Sequence, residues 1–184
     1  YMNKKISYGF HHIDDDDIEA VVDILKKGHI TQGQTVEDFG QALADYAGAK
    51  YGVAVSSGTA ALHLSVAALG IEPGDELITT PMTFFSTAHA ILSIGADVKF
   101  VDIEQNTLNI DHGHIQEKIS ERTKVIIPVD FRGHPANLPE IKKIADIHNL
   151  RIIEDGSHSI GSSYNHNGKE HFCGDSIHAD LCTY

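Results

Sequence analysis

Residues 124–155 read "KVIIPVDFRGHPANLPEIKKIADIHNLRIIED", and the order of segments in this stretch decides the fold. Two short apolar runs, at 124–130 and 151–155, flank a helical segment at 137–149. Runs this short and nearly continuous suit strands covered on both faces, and a helix between two of them makes a βαβ unit on a parallel sheet. The alternation continues upstream. Strands are expected at "YGVAVSS" (51–57), "DELITTP" (75–81) and "DVKFVDI" (97–103). Helices are expected at "TAALHLSVAALG" (59–70), "FFSTAHAILSIG" (84–95) and "HIQEKIS" (114–120). Two further helices precede them, one in "DDDDIEAVVDILKKG" (14–28) and one from near Thr35 to Gly48, and a last apolar strand follows in "HADLCTY" (178–184). The fold class is α/β, a mostly parallel sheet flanked by helices.

Composition narrows the function. The 184 residues carry a formal net charge of −12, which repels nucleic acid and anionic membrane surfaces, so neither is expected as a partner. A small phosphorylated ligand stays possible, because a few backbone N–H groups bind phosphate within an acidic protein. The two cysteines, Cys173 and Cys182, form no CxxC pair, so a cytoplasmic location is expected without a disulfide framework or zinc knuckle. No apolar run approaches the ~20 residues that span a bilayer. The acidic run Asp14–Asp17 reads as helix capping against the macrodipole rather than as a metal site. His11, His12, His112 and His114 read as solvated, since no Cys or acid cluster completes a metal shell around them.

In a sheet of this kind ligands bind beyond the carboxyl ends of the strands. Three places qualify. After the first expected strand, Ser57, Gly58 and Thr59 lead straight into a helix whose free N–H groups favour a phosphate, although from the residues alone an ordinary Ser/Thr cap is the plainer reading. After the next, Phe84 and Phe85 stand at the mouth of the sheet, one as a flat platform for a ring and the other as core, or both as core. After 151–155, Asp155 closes a strand three residues before His158, where a carboxylate could pair with a protonated ring nitrogen. Asp130 also ends a strand at this rim, near substrate or in a structural turn. A phosphate cradle, an aromatic plate and an acid on one rim suit pyridoxal phosphate.

The segments 30–92 and 124–164 resemble the DegT/DnrJ/StrS family of pyridoxal-phosphate-dependent sugar aminotransferases, whose large domain has the aspartate-aminotransferase fold. The resemblance implies that Gly58 and Thr59 bind the cofactor phosphate, Phe84 stacks on its ring, Asp155 holds the ring nitrogen and His158 reaches the ring hydroxyl. It implies an amino donor, usually glutamate, a nucleotide-sugar acceptor and a homodimer. Within the family, "SYGF", "GHITQG", "ITTPMTFFSTA", "ERTKVIIPVDFRG" and "DGSHSIGSSY" are most similar to the branch of pseudaminic-acid synthesis. That similarity implies amination at C4 of a UDP-linked 4-keto-6-deoxy-N-acetyl sugar, with substrate contacts at Tyr8, Gly28, His29, Ile30, Thr31 and Gly58.

By the same resemblance, the lysine that binds the cofactor covalently lies beyond Tyr184, so residues 1–184 hold no catalytic residue of their own. They are expected to form an N-terminal helical arm (1–34) and an incomplete cofactor-binding large domain (35–184), the small domain being absent. Lys169 is no substitute, because Asn167-Gly168 before it signals a hairpin turn. Some family members carry histidine at the lysine position and dehydrate instead. That chemistry, or a non-catalytic binding module, is the alternative expectation.

Overall fold

The computed structural model describes residues 11–27 and 29–184. The chain divides into two units, residues 1–38 and 39–184. In the first, α1 (Asp15–Lys27) opens on acids and closes on Lys26 and Lys27, in line with the helix dipole. Asp14 and Asp17 each accept the other's backbone N–H, at 3.3 and 3.1 Å, so this acidic run is a cap. Helix α2 (Gln34–Ala47) starts in this unit and ends in the second.

The second unit is built on five strands: β1 (Glu76–Thr79), β2 (Asp97–Phe100), β3 (Thr123–Ile126), β4 (Arg151–Asp155) and β7 (Leu181–Thr183). Their order is β2-β1-β3-β4-β7, and every neighbouring pair is parallel. Strand periodicity sends alternate residues to opposite faces. Leu77, Val125, Ile127 and Ile153 pack with Leu62 and Val66 of α3 (Gly58–Ala68) and Ile91 of α4 (Ser86–Leu92). Ile78, Ile126 and Ile152 pack on the other face with Ile141 and Ala145 of α5 (Leu138–His148), and with Ile110 and Ile115. Each buried Val, Leu or Ile among them contributes about 1.5–3 kcal/mol by burial, so the doubly covered sheet anchors the second unit. Between α5 and β7, β5 (Ser163–His166) and β6 (Lys169–Phe172) form an antiparallel hairpin. Asn167 and Gly168 turn it with φ of 51° and 76°, as expected from the sequence, and Lys169 merely opens β6.

Two expected elements are corrected. Residues 51–57 are not a strand: no ladder pairs with them among the described residues, and Tyr51 and Val53 are 74% and 83% exposed. A backbone contact holds the segment instead. A Cβ added at Gly52 would lie 2.0 Å from the Gly40 carbonyl oxygen in α2, so only glycine fits there. The expected helix at 114–120 is two short 3₁₀ turns, His112–His114 and Gln116–Lys118. Asp111 caps the first by accepting the Gly113 N–H at 2.9 Å, and Ile115 between the turns is fully buried. Ile115 and Ile119 are the segment's two core contacts, too few to repay the nucleation of a longer helix, so it stays in tight turns. No helix among the described residues is long and apolar enough to cross a membrane.

Candidate active site

The turns after β1 and β3, the carboxyl end of β4 and the starts of α3 and α4 line a cavity of about 250 Å3. All its walls come from the second unit, among them Gly58, Thr59, Phe84, Thr87, Asp155 and His158. The structure thus brings together all five residues that the sequence singled out as cofactor anchors.

Each is placed by local chemistry. Ser57 is the extended N-cap of α3, its hydroxyl accepting the Ala60 N–H at 3.2 Å while its carbonyl accepts that of Ala61 at 2.9 Å. The two amides ahead of these, on Gly58 and Thr59, are left for a ligand, with the helix dipole behind them. Gly58 has no room for a side chain to pass unnoticed: a Cβ there would lie 3.3 Å from the Tyr184 carbonyl oxygen and 3.4 Å from Ser157 Oγ. Thr59 Oγ1 and Ser86 Oγ are 2.8 Å apart, joining the starts of α3 and α4.

Phe84 and Phe85 correct the expectation that one or both are core. They are 68% and 64% exposed, with ring centroids 4.6 Å apart and the planes tilted by 58°. Helix α4 buries Ser86, Thr87, Ala90 and Ile91, one face at helical spacing, and both phenylalanines precede that face. Phe84 lines the cavity and offers it an apolar ring.

Asp155 is 4% exposed and held from both sides. Thr87 Oγ1 donates to its Oδ2 at 2.7 Å and Ser157 Oγ to its Oδ1 at 2.7 Å. With the Thr87 proton committed, the 2.8 Å contact between Thr83 Oγ1 and Thr87 Oγ1 must run from Thr83. The carboxylate is therefore oriented at the cavity by a relay of hydroxyls, and His158, exposed at the rim, is not among its hydrogen-bond partners. Sequence reading missed Thr87, Ser157 and Thr83. The i, i+4 spacing of the two threonines and the serine two residues after an aspartate were the available signals.

Asp130 stands at the turn after β3. It lines the cavity, and it also holds its turn, accepting the Ala136 N–H at 2.8 Å and the Ser159 hydroxyl at 2.6 Å. Burial raises its carboxyl above the usual range. Behind it, burial and then the Asp130 charge push Glu154 up to about 8. One oxygen or sulfur from each of Asp130, Glu154 and Cys173 lies within 4.8 Å of the others, a buried cluster among the described residues that sequence spacing could not reveal. Burial also pushes the Cys173 and Cys182 thiols up, so neither is a ready thiolate. Of the expected substrate contacts, His29, Ile30 and Thr31 belong to the first unit, while Tyr8 and Gly28 lie outside the described residues.

The model of the DegT/DnrJ/EryC1/StrS aminotransferase family matches residues 11–175. The chain belongs to this family. It is 40% identical over 169 residues to the UDP-4-amino-4-deoxy-L-arabinose–oxoglutarate aminotransferase of Shewanella sediminis, covering 91% of this chain and 44% of that one. Among solved structures, PseC of Helicobacter pylori, an aminotransferase of pseudaminic-acid biosynthesis, aligns with a TM-score of 0.82 at 32% identity, over 90% of this chain and 45% of its own. NtdA of Bacillus subtilis, with bound cofactor PMP, aligns with a TM-score of 0.72 at 35% identity, over 77% of this chain and 34% of that one. The chain spans about four-tenths of the length of the curated relatives it matches. The expected parallel α/β fold is thus that of the family's aminotransferases.

Proposed function

We propose that these residues are the cofactor-binding part of a pyridoxal-phosphate-dependent aminotransferase that acts on a nucleotide-linked sugar. One observation carries the reading: a single cavity joins a capped helix start, an exposed aromatic ring and a buried carboxylate fixed by two hydroxyls. These residues fit the cofactor. The Gly58 and Thr59 amides suit its phosphate, and Phe84 suits its ring. Asp155, oriented by Thr87 and Ser157, suits its pyridine nitrogen, and His158 is the rim donor for its hydroxyl. When bound, the cofactor supplies an electron sink. The chain's part is to hold it and keep its ring nitrogen protonated, which an aspartate does and a neutral residue does not. The family's covalent lysine would serve as the general base for proton transfer.

The amino donor in this proposal is glutamate and the acceptor a UDP-linked 4-keto-6-deoxy-N-acetyl sugar, aminated at C4. The support is the similarity to the arabinose-type and pseudaminic-type aminotransferases. Tyr8, Gly28, His29, Ile30 and Thr31, with Gly58, are proposed to receive the sugar nucleotide through local donors, as an acidic protein must. We place the enzyme in the cytoplasm as a homodimer. Phe39, Tyr46, Tyr51 and Val53, all more than half exposed on the second unit, supply apolar area that a dimer would cover. The test incubates full-length protein with glutamate, pyridoxal phosphate and a panel of 4-keto and 3-keto nucleotide sugars, following 2-oxoglutarate release. Turnover of the 4-keto members is expected. Exclusive turnover of 3-keto members overturns the position, and loss of water without 2-oxoglutarate release points to the dehydratases of the family.

A further inference from the structure

Glu154 poses a problem that cofactor binding leaves untouched. It precedes Asp155 on β4, so its side chain points to the opposite face of the strand. The residue is 1% exposed. Its Oε2 accepts the Gly174 N–H at 2.8 Å, but Oε1 is buried without a partner. The groups around it are Asp130 from the turn after β3, Tyr164 on β5, Cys173 after β6, Cys182 on β7, and Tyr184 beyond it. Among the described residues, no Lys, Arg or His forms an ion pair with Glu154 or Asp130.

Two ionised carboxylates here would be buried like charges with no compensating cation. One proton removes the repulsion and gives Oε1 a partner. The donors decide which carboxyl holds it. Asp130 accepts from Ala136 N–H and Ser159 Oγ, both favouring its ionised form, whereas Glu154 accepts one N–H, from Gly174, and beside that only the weak Cys182 thiol among the described residues. We propose that Glu154 is a neutral acid in the folded protein at neutral pH and shares its proton with the Asp130 carboxylate, so that the pair carries a single negative charge. The upward push on Glu154 agrees. A metal ion is the competing occupant, but it would need the Cys173 thiolate, and burial opposes that ionisation.

The shared proton has a consequence for the cavity. The Asp130 N–H donates to the Asp155 carbonyl at 3.0 Å, and the Asp155 N–H donates to the Pro128 carbonyl at 2.9 Å. A bridge from Glu154 to Asp130 therefore ties the end of β4 to the turn that walls the cavity. It also limits the negative charge beside Asp155 to one neighbour. Glu154 is in this sense a positioning residue for Asp155. That role rests on the pyridoxal reading above, while the proton itself does not.

The test uses full-length protein with carbon-13-labelled glutamate carboxyls. Infrared spectra near pH 6.5 should show a neutral-acid carbonyl band that shifts with the label, fades as pH rises through about 8 and vanishes in Glu154→Gln. Should that variant fail to fold, Asp130→Asn provides a second check, because losing the neighbouring charge should move the fading to lower pH. For the positioning role, pyridoxal phosphate affinity should weaken between pH 7 and 9.5 by about threefold more in the natural enzyme than in Glu154→Gln. A band that is absent at pH 6.5, or that survives in Glu154→Gln, overturns the proposal. So does one equivalent of bound Zn2+ that is lost in both Glu154→Gln and Cys173→Ser. If the band behaves as expected but the affinities fall in parallel, the proton stands and the positioning role falls. If no pyridoxal phosphate binds at all, the cofactor reading fails and the band still decides the proton.

Discussion

Glu76 and Glu154 are equally buried, each 1% exposed, at opposite ends of the same sheet. At the amino edge, Glu76 accepts from Ser120 Oγ at 2.6 Å and pairs with Arg122 and with Lys99, the latter at 3.4 Å. The Ser120 hydrogen bond, with the two cations, outweighs burial and holds its carboxyl below the usual range. At the carboxyl edge, Glu154 meets a second acid and a thiol, and burial pushes it up. The amino edge neutralises its charge, as a structural site does. The carboxyl edge sets Asp130 and Asp155 in the wall of the cavity that the start of α3 also lines, with Glu154 buried behind Asp130 and no cation among the described residues to neutralise them. Perturbed acids at a cleft mark where function lies.

Asp155→Asn in the full-length enzyme should break the carboxyl edge most severely. The neutral amide no longer favours a protonated ring nitrogen, and single-turnover rates should fall by at least ~10²-fold, on the scale of a lost preorganised electrostatic partner. Near-normal turnover would remove Asp155 from the site.

Arg122→Ala tests the amino edge. It leaves Glu76 with Lys99 and the Ser120 and Thr123 hydroxyls, and should cost about 1–3 kcal/mol in urea denaturation. The cost falls below the ~3–5 kcal/mol of a fully buried pair because the Arg122 side chain is itself 56% exposed. The two glutamates should also act on opposite limbs of the stability–pH curve. Glu154 has a raised folded value, so its contribution is full below its unfolded value near 4.5 and is lost as pH rises through about 8. Glu76 has a lowered folded value, so its contribution is present above about 4.5 and is lost as pH falls through the folded value. Glu154→Gln should flatten the first limb and leave the second unchanged in denaturation series across pH.

Phe84→Ala should loosen cofactor by about 1–2 kcal/mol of stacking and apolar contact, read by titration. It should barely change stability, since the ring is 68% exposed. Ser57→Ala removes the cap of α3 and should cost about 1 kcal/mol, seen as a lower melting temperature.

The parallel sheet was legible because βαβ alternation is a local pattern, strong at 124–155. Gly58, Thr59, Asp155 and His158 were legible for the same reason, since each sits where a strand or helix begins or ends. Residues 51–57 misled because alternating apolar residues announce a strand without showing whether a partner ladder exists. Phe84 was ambiguous because an aromatic next to a helix reads alike as core or platform until the buried face of α4 is known. The Asp130–Glu154 pair was invisible because its members, 24 positions apart, meet only through the β3–β4 register and the turn that Asp130 itself closes.

The most direct measurement of the central claim is nitrogen-15 NMR of ring-labelled pyridoxal phosphate bound to the full-length protein. The ring nitrogen should resonate as a protonated pyridinium at neutral pH in the natural enzyme and move to the neutral position in Asp155→Asn. A neutral ring nitrogen in the natural enzyme, or the same protonated signal in both, would contradict the placement of the cofactor on Asp155.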